Sequence, residues 1–368
     1  MNRGRLAGGE RLRMIGAIAA KDITDAIKNK TLITIALGMA MMMLSAQVFP
    51  FLLKLSGSPR VVIYDAGVSA GGTSWLLSAM AEDGYYRVTE VGSQQALEDS
   101  LVDLGADVLG MVIPVGFEQT LDSGAQGELE GYVLWSRRSA ADKLAGEMER
   151  YLETLLGKPV SIIVQGNLVV PSLDEMGSLG MIAAVFTLIL VTIGGFLVPY
   201  SIFEEKQTHT MDALLVSPAN AADITLGKGL AGIVYCLVAM AVALAFNYSS
   251  VVRWEVILLA VLAGAVFAVG VGLLMGTFFE TAQQVGAWLV IPIAALMAPV
   301  MLAMLGTLPP LLESLLPWLP TIALGNLFLL SLSGDATLGR TLPDLVLVLA
   351  WTLPLYVAVI WRVRHSDR

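Results

Sequence analysis

The sequence predicts an α-helical polytopic membrane protein: six transmembrane helices plus a re-entrant or interfacial segment, with an inserted extracytoplasmic α/β domain. Three observations carry this expectation. First, 56% of the 368 residues are hydrophobic and only 14% are charged, with a mean hydropathy of +0.74. Soluble domains carry about 25% charged residues, so this chain cannot cover itself with polar surface. Second, seven uncharged runs meet or approach the roughly 20 apolar residues a helix needs to cross a bilayer core of about 30 Å. Third, residues 54–175 hold 8 Lys/Arg against 18 Asp/Glu, an acidic, watery insert in a nearly neutral apolar frame. The same numbers exclude an ordinary soluble enzyme, a disordered chain and a coiled coil. The net charge of −9 argues against nucleic acid as a partner. The single cysteine, Cys236, allows no intrachain disulfide.

Residues 1–30 carry seven basic side chains: Arg3, Arg5, Arg11, Arg13, Lys21, Lys28 and Lys30. Within them Leu12–Ile27 reads as a surface helix. Leu12, Ile15, Ala19, Ile23 and Ile27 fall near one face, with Lys21, Asp25 and Lys28 elsewhere, a pattern suited to lying along the inner leaflet. The polar stretch and the following apolar run are both too long for a cleaved signal peptide. The uncharged runs are Thr31–Leu53, Gly177–Phe203, Gly229–Val252, Val256–Phe279, Thr281–Leu312, Ser314–Gly334 and Leu345–Trp361, followed by Arg362, Arg364 and Arg368. Basic ends stay in the cytoplasm, so both termini are expected inside and the crossings must be even in number. Ser314–Gly334 is the run expected not to cross, because Pro317, Pro320 and Gly325 break its first half. It is expected to dip in from the outer side, shielded by protein or water. The expected spans are thus 31–53, 177–203, 229–252, 256–279, 285–306 and 342–361. A cytoplasmic loop at 204–228, an outer segment at 307–340 and a cytoplasmic tail at 362–368 complete the chain.

Residues 54–176 read as alternating strands and helices. Strands are expected at Arg60–Tyr64, Tyr86–Val91, Val108–Ile113, Leu129–Trp135 and Val160–Val164. Helices are expected at Gly72–Ala81, from the Ser93 cap to Leu104, at Glu118–Asp122 and at Ala140–Leu156. Val108–Ile113 is apolar throughout, as a strand buried on both faces would be. The alternation favours a small α/β domain with largely parallel pairing, placed outside the cell between the first two spans. No catalytic constellation is visible in it. Its carboxylates read as solvated helix faces, with Glu147, Glu149 and Glu153 interleaved with Arg150. Arg137–Arg138 reads as a turn, or as a contact for an anionic ligand.

The informative stretch is Phe203–Lys228, FEEKQTHTMDALLVSPANAADITLGK. Glu204, Glu205 and Lys206 sit at the inner mouth of the second span. Met211, Leu214 and Leu215 recur at helical spacing on one face of a short helix. Ser217-Pro218 then marks a stop and a new helix start. A small apolar helix offered to the cytoplasm suits docking to another protein; a helix resting on lipid headgroups reads equally well from physics alone.

This loop resembles the EEK-x-x-x-T-x-x-x-LLVSP-type signature of ABC-2 type transporter permeases. Glu204, Glu205, Lys206, Thr210, Leu214, Leu215, Ser217, Pro218 and the later Gly227-Lys228 carry the resemblance. The chain departs from the family at His209 and Thr210, where Arg-Gly often precedes the Thr. Ala106–Phe117, Val61–Asp65 and the Pro-rich Pro309–Pro320 resemble further elements of the family in the same order, so the resemblance reaches across most of the chain. The subgroup with one large outer domain between spans one and two is the most similar. The resemblance implies a half-transporter: two six-span permeases, as a homodimer or heterodimer, around a central path. In each, Glu204, Glu205, Lys206, Thr210, Met211, Leu214, Leu215, Ser217 and Pro218 dock a cytoplasmic ABC ATPase. ATP and Mg²⁺ would belong to that partner. No G-x-x-x-x-G-K-[ST] occurs here; Gly227-Lys228-Gly229 and Gly157-Lys158-Pro159 lack both the Ser/Thr and the glycine spacing. No cofactor, catalytic residue, metal ligand or substrate-binding residue is assigned to this chain. The expected setting is the cell (cytoplasmic or inner) membrane.

Two other classes share part of this pattern. A Glu-Glu intramembrane protease would use Glu204-Glu205 with helping Arg or His inside the membrane. The Arg is missing, and His209 and His365 lie in polar loop and tail. A non-transporting membrane subunit that transmits ATPase motion or tethers a complex would share every feature above. Met39–Met43 suits lipid or core packing more than an adaptable apolar path. Glu280 with Gln283 and Gln284 suits a solvated turn and a gate or ATPase contact equally, and Gly264, Gly270, Gly272 and Gly276 suit close helix packing.

Overall fold

Alternation of β-branched runs with amphipathic ones builds a mixed sheet between Arg60 and Val169. In the computed structural model, residues 8–28, 34, 38, 59–69, 75–104, 108–171, 177–207, 221–278, 290–303 and 309–366 are described. The sheet comprises β1 (Arg60–Asp65), β2 (Arg87–Val91), β3 (Val108–Ile113), β4 (Gly127–Leu134), β5 (Val160–Ile163) and β6 (Leu168–Val169). Its order is β2-β1-β3-β4-β5, with β6 also pairing β4. All pairings are parallel except β3 with β4, which is antiparallel.

The helices of this unit are α2 (Trp75–Asp83), α3 (Gln94–Leu104), α4 (Phe117–Asp122) and α5 (Ala141–Leu156). α2, α4 and α5 cover one face of the sheet over Val61, Ile63, Leu109, Met111 and Ile113. α3 covers the other over Val62, Val108 and Val112. β3 is therefore buried at every position, which its unbroken apolar sequence anticipates. The Ser93 hydroxyl accepts the Ala96 amide at 3.1 Å, capping α3 as expected. Ser93→Ala should cost about 1 kcal/mol and show as faster amide exchange in the first turn of α3. Tyr85, Tyr86 and Tyr151 pack ring on ring where α5 meets the α2–β2 turn. Burial, with the Asp83 carboxylate accepting from the Tyr151 hydroxyl at 2.9 Å, raises that phenol above its ordinary range.

The remaining helices are α1 (Gly8–Lys28), α6 (Gly177–Thr192), α7 (Val198–Gln207), α8 (Ala221–Asn247), α9 (Trp254–Phe278), α10 (Val290–Ala303), α11 (Pro310–Leu315), α12 (Pro320–Leu332) and α13 (Leu338–Ser366). α6 and α7 are joined without a break by a widened π-helical stretch, Ile193–Leu197. Among the described residues four helices are long and apolar enough to cross a membrane: Gly180–Phe203, Asp223–Ser250, Trp254–Phe278 and Leu338–Val363. They bury a common core that includes Phe186, Leu190, Phe267, Leu324 and Phe328. The expected span 31–53, with Met39–Met43, lies outside the described residues apart from Thr34 and Gly38, as do Glu280, Gln283 and Gln284. Within the expected span 285–306 the described helix is the shorter α10.

The expected break in Ser314–Gly334 falls between Trp318 and Pro320, where α11 with its following turn meets α12 at 77°. Gly325 does not contribute to it. α12 runs through Gly325 unbroken and is buried at most of its positions, Leu324, Leu327 and Phe328 completely. Packing from α6, α9 and α13 outweighs the glycine's weak helix propensity of about 1 kcal/mol.

Candidate coupling site at one end of the helical bundle

α7 continues the Gly180–Phe203 helix past its apolar part, and its last turns carry Glu204, Glu205 and Lys206. Thr210, Met211, Leu214, Leu215, Ser217 and Pro218 lie outside the described residues. The chain re-enters the bundle at Ala221, the start of α8. This start agrees with the new helix expected after Ser217-Pro218, and the apolar helix Asp223–Ser250 has the charges of its first turns paired with α1.

Arg11 Nε lies 3.1 Å from Asp223 Oδ1. Asp223 also sits in the first turn of α8, where the helix dipole favours an anion. Lys228 Nζ donates to Asp22 Oδ2 at 3.3 Å, and the two side chains are 2% and 6% exposed. The Tyr235 hydroxyl donates to the Asp22 carbonyl oxygen at 3.0 Å. Ile18 fills the space over Gly227, where a Cβ would come within 2.7 Å of Ile18 Cγ2. Ile18 also packs with Ile224 and Met14.

Ile18, Ala19 and Asp22 are the buried positions of α1, while Leu12 and Ile27, the ends of the row expected to lie along the inner leaflet, are exposed. A lysine at the start of an apolar helix calls for a counter-charge, and Asp22 supplies it from α1.

The far ends of the neighbouring helices fix what shares this end of the bundle. α8 and α9 are consecutive and antiparallel, and the Arg362 guanidinium, near the end of α13, lies 5.2 Å over the Phe278 ring at the end of α9. Ile202 of α7 packs against Gly276 of α9. α1, the end of α7, the start of α8, the end of α9 and the end of α13 therefore meet at one end. The sheet unit meets the other. Arg138 Nη1 donates to the Ser249 carbonyl at 2.7 Å and Trp135 Nε1 to the Val251 carbonyl at 3.3 Å, and Pro171 accepts from the Gly334 amide at 3.1 Å. Arg138, read from sequence as a turn or an anion contact, is instead a joint between sheet and helices.

The sequence expectation missed Asp22, Arg11 and Asp223, and it gave Lys228 no role beyond the motif. An acid in α1 and a lysine just inside an apolar helix were the available signals. Among the described residues no group of three or more His, Cys, Asp or Glu side chains is placed to hold a metal ion. The arrangement joins a polar loop mechanically to two membrane-length helices.

A comparison with the curated proteins finds no match. A family model described as ABC-2 family transporter protein matches residues 30–362, from the expected first span through the α7–α8 loop and the sheet unit to the end of α13. With nearly the whole chain matched, the protein belongs to the ABC-2 transporter family and is a multi-pass membrane permease subunit of an ABC transporter.

Proposed function

We propose that this chain is one half of the membrane channel of an ABC exporter. It moves a substrate out of the cytoplasm on ATP hydrolysed by a separate nucleotide-binding subunit. Six helices cross the membrane, the expected 31–53 and 285–306 spans joining the four described. The 307–340 segment dips in from the outer side, both termini are cytoplasmic and the sheet unit faces outward. Two such permeases, identical or different, pair around the path. Glu204, Glu205, Lys206, Thr210, Met211, Leu214, Leu215, Ser217 and Pro218 form the docking element, and ATP with Mg²⁺ stays on the partner.

Family membership implies an ABC ATPase partner. The observation that carries the finer reading is where the chain leaves and rejoins the helical bundle on either side of residues 208–220. The chain leaves one membrane-length helix without a break and returns into another whose first turns are tied by ion pairs to α1. A push on that loop therefore reaches two spans directly. The sheet unit sits at the opposite end, consistent with basic termini inside. ATP-driven closure does transport work only if the substrate binds the two states differently.

Glu205→Lys tests the docking role. Membrane insertion is expected to be intact, while co-purification of the ATPase, or its stimulated turnover, is lost. Unchanged coupling would remove Glu205 from the docking element. In vesicles, the wild-type complex is expected to move substrate when ATP is supplied; ATP turnover without movement would instead mark a transmitting subunit.

A further inference from the structure

The helix that leads into the coupling loop is not uniform. Between Ile193 and Leu197 its hydrogen-bonding widens from α to π, and it returns to α at Val198. A π turn accommodates one residue more than the α-helix it interrupts, and such turns are rare, short and concentrated at functional sites.

The local sequence explains the widening. Pro199 has no amide proton, and in an α-helix its ring would collide with the carbonyl four residues earlier, that of Gly195. Gly194 and Gly195 have the lowest helix propensity of any residue but proline, so the strain is relieved there. The neighbours then fit the widened turn closely. A Cβ on Gly272 of α9 would run into the Gly194 carbonyl oxygen, and a Cβ on Gly194 would stand 2.6 Å from the Ala268 backbone. A Cβ on Gly232 of α8 would stand 2.5 Å from Val198 Cγ2. The π turn thus rests backbone on backbone against α9 at Gly194 and Gly272, and Gly232 of α8 makes room for the Val198 side chain just beyond it.

We propose that Ile193–Leu197 is a hinge, with the Gly194–Gly272 contact as its pivot, about which α7 moves relative to α6 when the loop beyond α7 is driven. The proposal rests on the coupling reading above for its driver, but not for the existence of the hinge. Converting the π turn to α would shift everything beyond it by one residue, a rotation of about 100° and a rise of about 1.5 Å. Glu204 and Glu205 lie only a few turns beyond the hinge, on the same helix. At the pivot the bare Gly194–Gly272 contact has no side chain to unlock, and beyond it Val198 over Gly232 and Ile202 over Gly276 are the side chains that re-seat. Packing at this one place decides between two backbone states, and a bistable element of this kind is what converts a local push into a global change.

Two substitutions test it without removing the loop. Pro199→Ala restores the missing donor. Gly195→Ala raises helix propensity at a position with room, since its Cβ would meet only Ile293 at 3.7 Å. The full-length protein in nanodiscs should show backbone amides of 193–198 exchanging at least tenfold faster than those of 183–192. Either variant should slow them at least tenfold. Equal exchange in wild type and both variants overturns the hinge, whatever the partner does.

The second arm uses the complex with its ATPase and trapped nucleotide, with spin labels on α6 and on α7. The wild-type distance should change on trapping, and the change should be lost in Pro199→Ala while ATPase co-purification is retained. A full distance change in Pro199→Ala would also overturn the hinge. If the wild-type chain captured no ATPase while the exchange pattern held, the docking reading would fail and the hinge would stand.

Discussion

Lys228→Met is expected to release α1 from the bundle. The substitution keeps the length and apolar stem of the side chain and removes only its charge. Asp22 would then be left 6% exposed with its buried partner gone and a longer 3.9 Å contact to the half-exposed Lys21. Removing one member of a buried pair costs about 3–5 kcal/mol, because the survivor remains desolvated. Asp22→Leu should cost a similar amount by stranding Lys228. The double variant Asp22→Leu/Lys228→Met should recover much of the loss, since an apolar pair of similar volume carries no desolvation penalty. The measurement is limited proteolysis of the purified full-length protein at the basic residues of α1. Each single variant should be cleaved there much faster than wild type, and the double variant at a rate between the two. If the singles were cleaved no faster than the double, the pair would not be what holds α1 in place. Arg11→Ala is the internal comparison. Arg11 is half exposed, and exposed pairs contribute only about 0.2–1 kcal/mol, so its effect should be small.

That pair also shows where sequence reasoning stopped. Asp22 and Lys228 are separated by 206 positions, and no local pattern links an acid in one helix to a base in another. Local patterns did locate the strands of the sheet unit, because two-residue alternation, β-branched runs and the Ser93 cap are short-range signals. They also located the helix break before Pro320, because a proline acts on its own helix. They overestimated Gly325, whose cost is small beside the burial of Leu324, Leu327 and Phe328 around it. They missed the π turn although its cause, Gly194-Gly195 followed by Pro199, is written in the chain. A run free of charge reads as one uniform helix when only hydropathy is weighed. Of the docking element, only the backbone of Glu204, Glu205 and Lys206 lies among the described residues, so its assignment still rests on the motif.

Arg138→Ala is expected to loosen the sheet unit from the helices without unfolding either. Arg138 donates to the carbonyls of Ser249 and of Trp135, at 2.7 and 2.9 Å. Its guanidinium stacks 4.4 Å over the Trp135 ring. Trp135 in turn donates to Val251, so one arginine braces two of the contacts at this joint. Hydrogen bonds to a charged group contribute about 1.5–3 kcal/mol, and the stacked cation adds about 0.5–1 kcal/mol. The joint should therefore weaken by about 2–3 kcal/mol, less than the full sum because Trp135 keeps its own bond. Arg138→Lys should fall between wild type and Ala: it keeps the charge but cannot brace two carbonyls with one planar fork. Amide exchange is the appropriate readout, since the consequence is local. Protection should drop at 248–252 and 135–140, while β1 and β3, buried by their own helices, should keep theirs. A loss of protection in β1 and β3 as well would mean that the sheet unit depends on the bundle to fold. No loss at 248–252 would mean that Arg138 does not brace the joint, which the Trp135–Val251 bond at 3.3 Å and the Pro171–Gly334 contact at 3.1 Å would then hold. The joint matters for transport because it is built on the short connection between α8 and α9. α8 is the helix that α1 grips at its other end, so motion delivered there arrives at the sheet unit through a single rigid helix about 40 Å long.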